Sequence, residues 1–216
     1  MAITFIRSDH FTYALLKKLI ELSTDSVKVL LMRQGFVFDK GVHGKLANIK
    51  TNTGAIALIW AAADSSVSRA SGSFVTDGFV PGNRCTSDDV SNPGPLTIDT
   101  VTALKITFVE AVVNSSATKT LTSNDELATG SGYTQDTKTT GAITVAEDNV
   151  NHYTDASFPT VTWTAAGGSI GPTPGAILYD DTTAENVIVG YIDFGGDETR
   201  TTGNTLDISN GVIRNL

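Results

Sequence analysis

Apolar positions recur along the chain with two periods, and the change of period marks its elements. Ser8 or Asp9 can cap a helix over about His10 to Leu22, because a short oxygen-bearing side chain accepts from the free N–H groups of a first turn. Leu15, Leu16, Leu19 and Ile20 then share a face, a single stripe expected to lie against a sheet. Ser23-Thr24-Asp25-Ser26 breaks that period. Val27, Val29 and Leu31 next alternate with Lys28, Leu30 and Met32, as in a central strand whose second face turns apolar toward its end.

Further along, the segments shorten and turn residues multiply. Ile56, Leu58 and Trp60 alternate with small residues, and Val67-Ser68-Arg69 follows. Asp77-Gly78 and Pro81-Gly82 both favour turns. Leu96, Ile98 and Thr100 alternate, as do Leu104, Ile106 and Phe108, so a hairpin through Val101-Thr102-Ala103 is the simplest arrangement. Such a stretch of short strands suits a small β-barrel or sandwich. Residues 113–123 are Ser/Thr-rich and are expected to return the chain to where it left off. Strand candidates then recur at Ile143-Thr144-Val145, Thr160 to Thr164, Ala176 to Tyr179, Val187 to Ile192 and Leu206-Asp207-Ile208. Between them lie Gly- and Pro-dense segments read as loops, notably 167–175, with the spacing of an antiparallel sandwich.

The expected fold is therefore mainly β: an antiparallel β-sandwich-like host domain with one N-terminal α-helix, residues 1–50 and 122–216, interrupted by a small inserted β-barrel or sandwich module, residues 51–121. Insertions of this size survive where both ends meet at a surface loop, since loop closure costs little more as length grows. The arrangement points to a building block more than to a catalyst.

Composition narrows the classes. The chain of 216 residues is 40% hydrophobic and 18% charged, ordinary for a folded soluble protein. A formal net charge of −8 argues against nucleic acid as a partner, whose phosphates an acidic surface repels. The Lys17-Lys18 pair reads as a solvated helix end complementing the helix dipole. Cys85 is the single cysteine, which rules out an intrachain disulfide and a thiolate zinc site and suits a small buried hydrophobe. The N-terminus lacks the pattern of a signal peptide, and no apolar stretch approaches the ~20 residues that span a bilayer, so no membrane partner is expected.

The host halves carry a likeness. The N-terminal helix, Val27 to Met32, Gly130-Ser131-Gly132-Tyr133-Thr134, Val161-Thr162-Trp163, Ala176 to Asp181, Gly190 to Asp197 and Asn210 to Leu216 together resemble a group of tailed-bacteriophage virion proteins. In that group the segment like Phe36 to Leu46 runs almost directly into the one like Glu126 to Tyr133. The insert has its own likeness: Ser71 to Phe74, Asp77 to Asn83 and Val101 to Ile106 resemble a small β-repeat of phage structural proteins. It departs from that pattern at Asn92-Pro93-Gly94-Pro95, where an Asn-Asp-Gly-like turn is expected. The resemblance implies a non-enzymatic virion protein, made in the bacterial cytoplasm and present in many copies. A capsid decoration or cement protein that self-associates as a trimer or dimer and binds the major capsid protein is the leading expectation, with the inserted module projecting outward. The alternative is a tail- or fibre-associated module that binds a receptor or glycan.

Candidate chemistry is sparse. There is no Gly-x-Ser-x-Gly elbow, Walker loop, His-Glu-x-x-His or Cys-x-x-Cys. His10 falls at the helix start, and His43 and His152 lie in loop-like sequence without a visible catalytic partner. Three acidic clusters could be weighed as cation ligands: Asp148-Asn149 with Asn151 and Asp155, Asp180-Asp181 with Glu185, and Asp193 with Asp197-Glu198. None has EF-hand spacing, and turn residues bonding their own backbone are commoner. Of the aromatics, Trp60, Trp163, Tyr179 and Tyr191 sit in alternating strands and read as core, whereas Tyr133 and Tyr153 fall in loop-like sequence and are the better surface candidates. No residue is assigned as catalytic, cofactor-binding or metal-binding, and no cofactor is expected.

Overall fold

The computed structural model describes residues 4–150, 153–209 and 211–215, with the side chains of residues 148, 153, 214 and 215 set aside. In chain order come β1 (Thr4–Arg7), α1 (Asp9–Leu16), β2 (Val27–Leu31), β3 (Lys50–Ala61), β4 (Ser66–Arg69), α2 (Phe74–Asp77), β5 (Arg84–Ser87), β6 (Leu96–Val101), β7 (Lys105–Phe108) and β8 (Ser115–Asn124). There follow β9 (Lys138–Thr139), β10 (Thr144–Asp148), β11 (Tyr153–Phe158), β12 (Val161–Thr164), β13 (Ile170–Asp180), β14 (Ile188–Arg200), β15 (Thr205–Ile208) and β16 (Gly211–Asn215). The protein is mainly β, with antiparallel sheets and a closed six-stranded barrel inserted in sequence. Contacts divide it into a host unit, Met1–Leu46 with Glu126–Leu216, and an inserted unit, Ala47–Asp125.

In the host unit a five-stranded sheet has the order β1-β14-β13-β2-β9, beside a three-stranded sheet β10-β11-β16 and a two-stranded β12-β15. Side chains from all three sheets, among them Leu31, Leu178, Phe158 and Trp163, meet Phe11 and Ala14 of α1 in one core. β2 is interior, as its apolar run predicts, and Lys28 is its one residue that is not buried. Gly132 lies within the Gly130-Ser131-Gly132-Tyr133 step. It adopts φ +90, and a Cβ there would meet the Thr164 carbonyl oxygen at 2.1 Å, so only glycine fits this close approach.

Three sequence expectations are corrected. The helix ends at Leu16, not near Leu22, because Lys18 turns left-handed at φ 55. The Lys18 N–H then donates to Leu15 O and the Leu19 N–H to Ala14 O, the paired bonds of a Schellman stop. Its buried face is consequently Phe11 and Ala14, while Leu16 stands 82% exposed. Ser8 occupies the N-cap position, but its hydroxyl accepts from no N–H of the helix and instead donates to His43 O at 3.3 Å. The Ser/Thr-rich segment expected to return the chain does so, as the ten-residue strand β8, which pairs with both β3 and β5. The Gly/Pro-dense segment read as a loop becomes strand from Ile170 onward, because register shifts around Thr173 accommodate its glycines and prolines.

In the barrel, β3-β4-β7-β6-β5-β8 closes around Leu58, Trp60, Val67, Ile98, Ile106 and Leu121. The strand that opens the unit and the strand that leaves it are cross-strand neighbours, Lys50 facing Asn124. β6 and β7 form the expected hairpin. Ser73 caps the short α2 by accepting from the Thr76 N–H, and Gly78 at φ 95 ends it. The departing Asn92-Pro93-Gly94-Pro95 segment is anchored by Asn92, whose side chain donates to Val113 O and accepts from Val113 N.

Candidate functional site

The polar side chains of the host unit gather at the β13–β14 end of the large sheet and along α1. Lys28 points out of the apolar β2 beside its cross-strand partner Tyr179. Its ammonium lies 3.0 Å from Asp181 Oδ2 and 3.8 Å from Asp136 Oδ1. The hydrogen bond to Asp181, helped by the Asp136 charge and opposed by burial, holds this lysine above its ordinary range and therefore protonated. The Tyr179 hydroxyl donates to Asp136 Oδ1 and, at 3.4 Å, to Asp181 Oδ1. Nearby, the Tyr133 hydroxyl donates to Glu126 Oε1 at 2.7 Å and accepts from the Leu31 N–H at 3.1 Å. The Asp136 N–H reaches the same Glu126 oxygen at 2.8 Å. Burial first, and then the adjoining carboxylates, push both tyrosines well up, so they serve as neutral donors.

Asp180 ends β13 and is fully buried. Its Oδ1 accepts from the Thr182 N–H at 2.7 Å and the Thr183 N–H at 3.1 Å, which shapes the loop leading to β14. Its Oδ2 has no donor. Burial, reinforced by the carboxyl of Asp25, raises Asp180 to about 6.

Two grooves flank α1. One, of about 620 Å³, is lined by His10, Tyr13, Leu19, Lys45, Glu185 and Val187 among others. Glu185 Oε1 pairs with Lys45 Nζ at 2.8 Å, and its Oε2 lies 3.5 Å from His10 Nε2. The Lys45 hydrogen bond holds the Glu185 carboxyl below its usual range. The second groove, of about 370 Å³, is more apolar and is walled by Phe11, Leu15, Ile20, Leu22, Val145 and Ile213. Tyr13 and Leu16 of the helix, and Leu19 just beyond its stop, are at least half exposed.

His10 stacks on Tyr13, and its Nε2 lies 3.5 Å from Glu185 Oε2. His43 is structural: its Nδ1 accepts from the Asp39 N–H at 2.9 Å, and its ring packs on Phe36 and Phe38. His152, Asn151 and the side chains of Asp148 and Tyr153 lie outside the described residues. The Asp180-Asp181-Glu185 cluster does not converge, its members facing Asp25, Lys28 and Lys45 respectively. Asp193 accepts from the Gly195 N–H, Asp197 from Gln34, and Glu198 pairs with Arg200, so the third cluster also disperses. Among the described residues no group of three or more His, Cys, Asp or Glu is placed to hold a metal ion.

Trp60, Trp163, Tyr179 and Tyr191 are core, as their strand positions predict. Tyr133 is a correction: it is 2% exposed, because its ring packs near Trp163 while its hydroxyl reaches Glu126 and Leu31. Cys85 is buried in the barrel, and burial pushes its thiol well up, away from reactivity. Sequence reasoning missed the roles of Glu126, Asp136 and Asp25. Lys28, a lone charge in an apolar strand, was the one local signal that a polar cluster lay opposite it. No helix among the described residues is long and apolar enough to cross a membrane. Comparison with known protein families, curated proteins and solved structures finds no match.

Proposed function

We propose that this chain is a non-enzymatic structural protein of a tailed-phage particle, a decoration or cement protein that self-associates and binds the major capsid protein. The virion setting rests on the motif resemblance of the host halves. The observation that carries an adhesive role is the surface of α1 and its stop, where Tyr13, Leu16 and Leu19 are at least half exposed, Tyr13 and Leu19 lining the larger groove. The Schellman stop fixes Leu16 and Leu19 in place, so little order has to be gained on docking. Burying a side chain such as Leu16 stabilises a complex by about 1.5–3 kcal/mol, and three adjacent ones suffice for a hot spot.

The ionisable groups of the host unit are engaged structurally: Lys28 is held protonated by its two aspartates, and the buried tyrosines are held neutral. A glycan-binding role for the inserted barrel finds less support, since its aromatic residues Trp60, Phe74, Phe79 and Phe108 are all buried and leave no ring for a sugar to stack on. The test is co-sedimentation of recombinant protein with empty capsids and with purified tails. Capsid binding that is lost in Leu16→Asp, with the circular dichroism spectrum unchanged, supports the proposal; binding to tails and not to capsids overturns it.

A further inference from the structure

Asp180 presents an unusual buried carboxyl. One oxygen is satisfied by two backbone N–H groups, while Oδ2 is buried without a donor. Its side-chain neighbour there is Asp25, in the turn before β2, and Asp25 Oδ2 already accepts from the Glu21 N–H at 2.6 Å. Two carboxylates facing each other with no donor between them are unfavourable in a buried setting; one proton converts the contact into a charge-assisted hydrogen bond. Lys28 is engaged by Asp181 and Asp136, and Lys45 and His10 face Glu185, while the Glu21 carboxylate is exposed.

We propose that Asp180 takes up a proton from solvent and donates it to the Asp25 side chain, forming a pH-operated latch that ties the 21–26 turn to the 181–187 loop in acid and loosens it toward neutral pH. The two segments already meet through backbone contacts that the latch reinforces. The Ser26 N–H donates to Thr182 Oγ1 at 2.8 Å, and the Asp181 N–H donates to Ser26 O at 2.8 Å. Thr183, Ala184 and Glu185 of that loop form one wall of the larger groove beside α1, so the protonation state of the pair bears on the groove's rigidity. The latch stands independently of the attachment role.

The sign follows from linkage. A folded-state value raised from the ordinary 3.8 to about 6 gives stabilisation that is complete below the ordinary carboxyl range and is lost as pH rises through 6. A shift of that size corresponds to on the order of 100-fold in the folding equilibrium constant. The variant Asp180→Asn keeps an oxygen for the Thr182 and Thr183 N–H groups and supplies a permanent N–H donor to Asp25. Because other carboxylates also titrate, the informative quantity is the difference between variant and wild type in urea unfolding of the full chain.

Expected is an Asp180→Asn protein at least tenfold more favourably folded than wild type at pH ~7.5, an advantage that falls steeply by pH ~4.5 and is lost only below the ordinary carboxyl range. If Asp180→Asn does not fold, Asp25→Asn, which also leaves an acceptor for Glu21 N, is expected to show the same pattern. A ¹³C carboxyl resonance of Asp180 titrating near 6 supports the latch; one titrating in the ordinary aspartate range overturns it. An unchanged variant-to-wild-type difference across this pH range also overturns it. So does stabilisation of the wild type, but not of Asp180→Asn, by millimolar calcium chloride at neutral pH, which would make the pair a cation site.

Discussion

Replacing Tyr133 with Phe removes one oxygen from the host core and nothing else. That oxygen donates to Glu126, a residue 4% exposed, and accepts from the N–H of Leu31, which is fully buried. Loss of a hydrogen bond to a charged acceptor costs about 1.5–3 kcal/mol, and an orphaned buried N–H costs a further ~1–3 kcal/mol. Glu126 keeps the Asp136 N–H, which softens the first contribution, so the expected destabilisation is about 2–4 kcal/mol. In a chain of this size that lowers Tm by roughly 5–15 °C. The assay is urea unfolding followed by Trp163 fluorescence in a Trp60→Phe background, because Trp163 lies 6.2 Å from the Tyr133 ring and Trp60 belongs to the barrel. Tyr13→Phe is the control, since that side chain is half exposed and its change is expected to stay within about 0.5 kcal/mol. If Tyr133→Phe also stays within about 0.5 kcal/mol, the hydroxyl is hydrated and the buried network described above is wrong.

Other perturbations separate the two units. Gly132→Ala places a Cβ on the Thr164 carbonyl in a left-handed conformation, so a loss on the order of 3 kcal/mol is expected in the same unfolding assay. Leu58→Ala in the barrel core should cost about 2–5 kcal/mol, read through Trp60 fluorescence, while the Trp163 transition stays in place. Burial raises the Glu110 carboxyl, but hydrogen bonds from the Thr97 N–H and hydroxyl, with the Arg84 charge, outweigh it and hold it below its usual range. Its contribution is therefore present above the ordinary glutamate range and is lost on acidification; Glu110→Gln should destabilise the barrel at neutral pH and converge with wild type in acid. Deleting residues 51–123 and joining Lys50 to Asn124 through an Asn-Gly turn should leave a host unit with a cooperative thermal transition, because those two residues already face each other across a strand pair.

Much of the architecture was written in local pattern. Alternation located β2, β6 and β7, turn residues punctuated them, and the change of rhythm after Asn48 announced a second set of strands. The core aromatics Trp60, Trp163, Tyr179 and Tyr191 followed from their places in alternating segments. Periodicity suffices there because a strand exposes or buries alternate side chains whatever it pairs with.

What it could not supply was the identity of distant partners. The Ser/Thr-rich β8 has little apolar alternation of its own and is a strand because β3 and β5 hold it from either side. The helix stops at Lys18 through backbone bonds that its leucine-rich continuation conceals, and that stop turns Leu16 outward. Tyr133 read as a surface ring because its turn is polar, yet its hydroxyl is claimed by Leu31, 102 residues away. Asp25 and Asp180 are likewise remote in sequence and adjacent only once β2 pairs with β13. Local pattern along the chain is enough to mark which residues form strands and that one set interrupts another. Which carboxylates face a lysine, a tyrosine or one another is set by the folded arrangement, because charge and hydrogen bonding act over a few ångströms of space and leave no periodic trace along the chain.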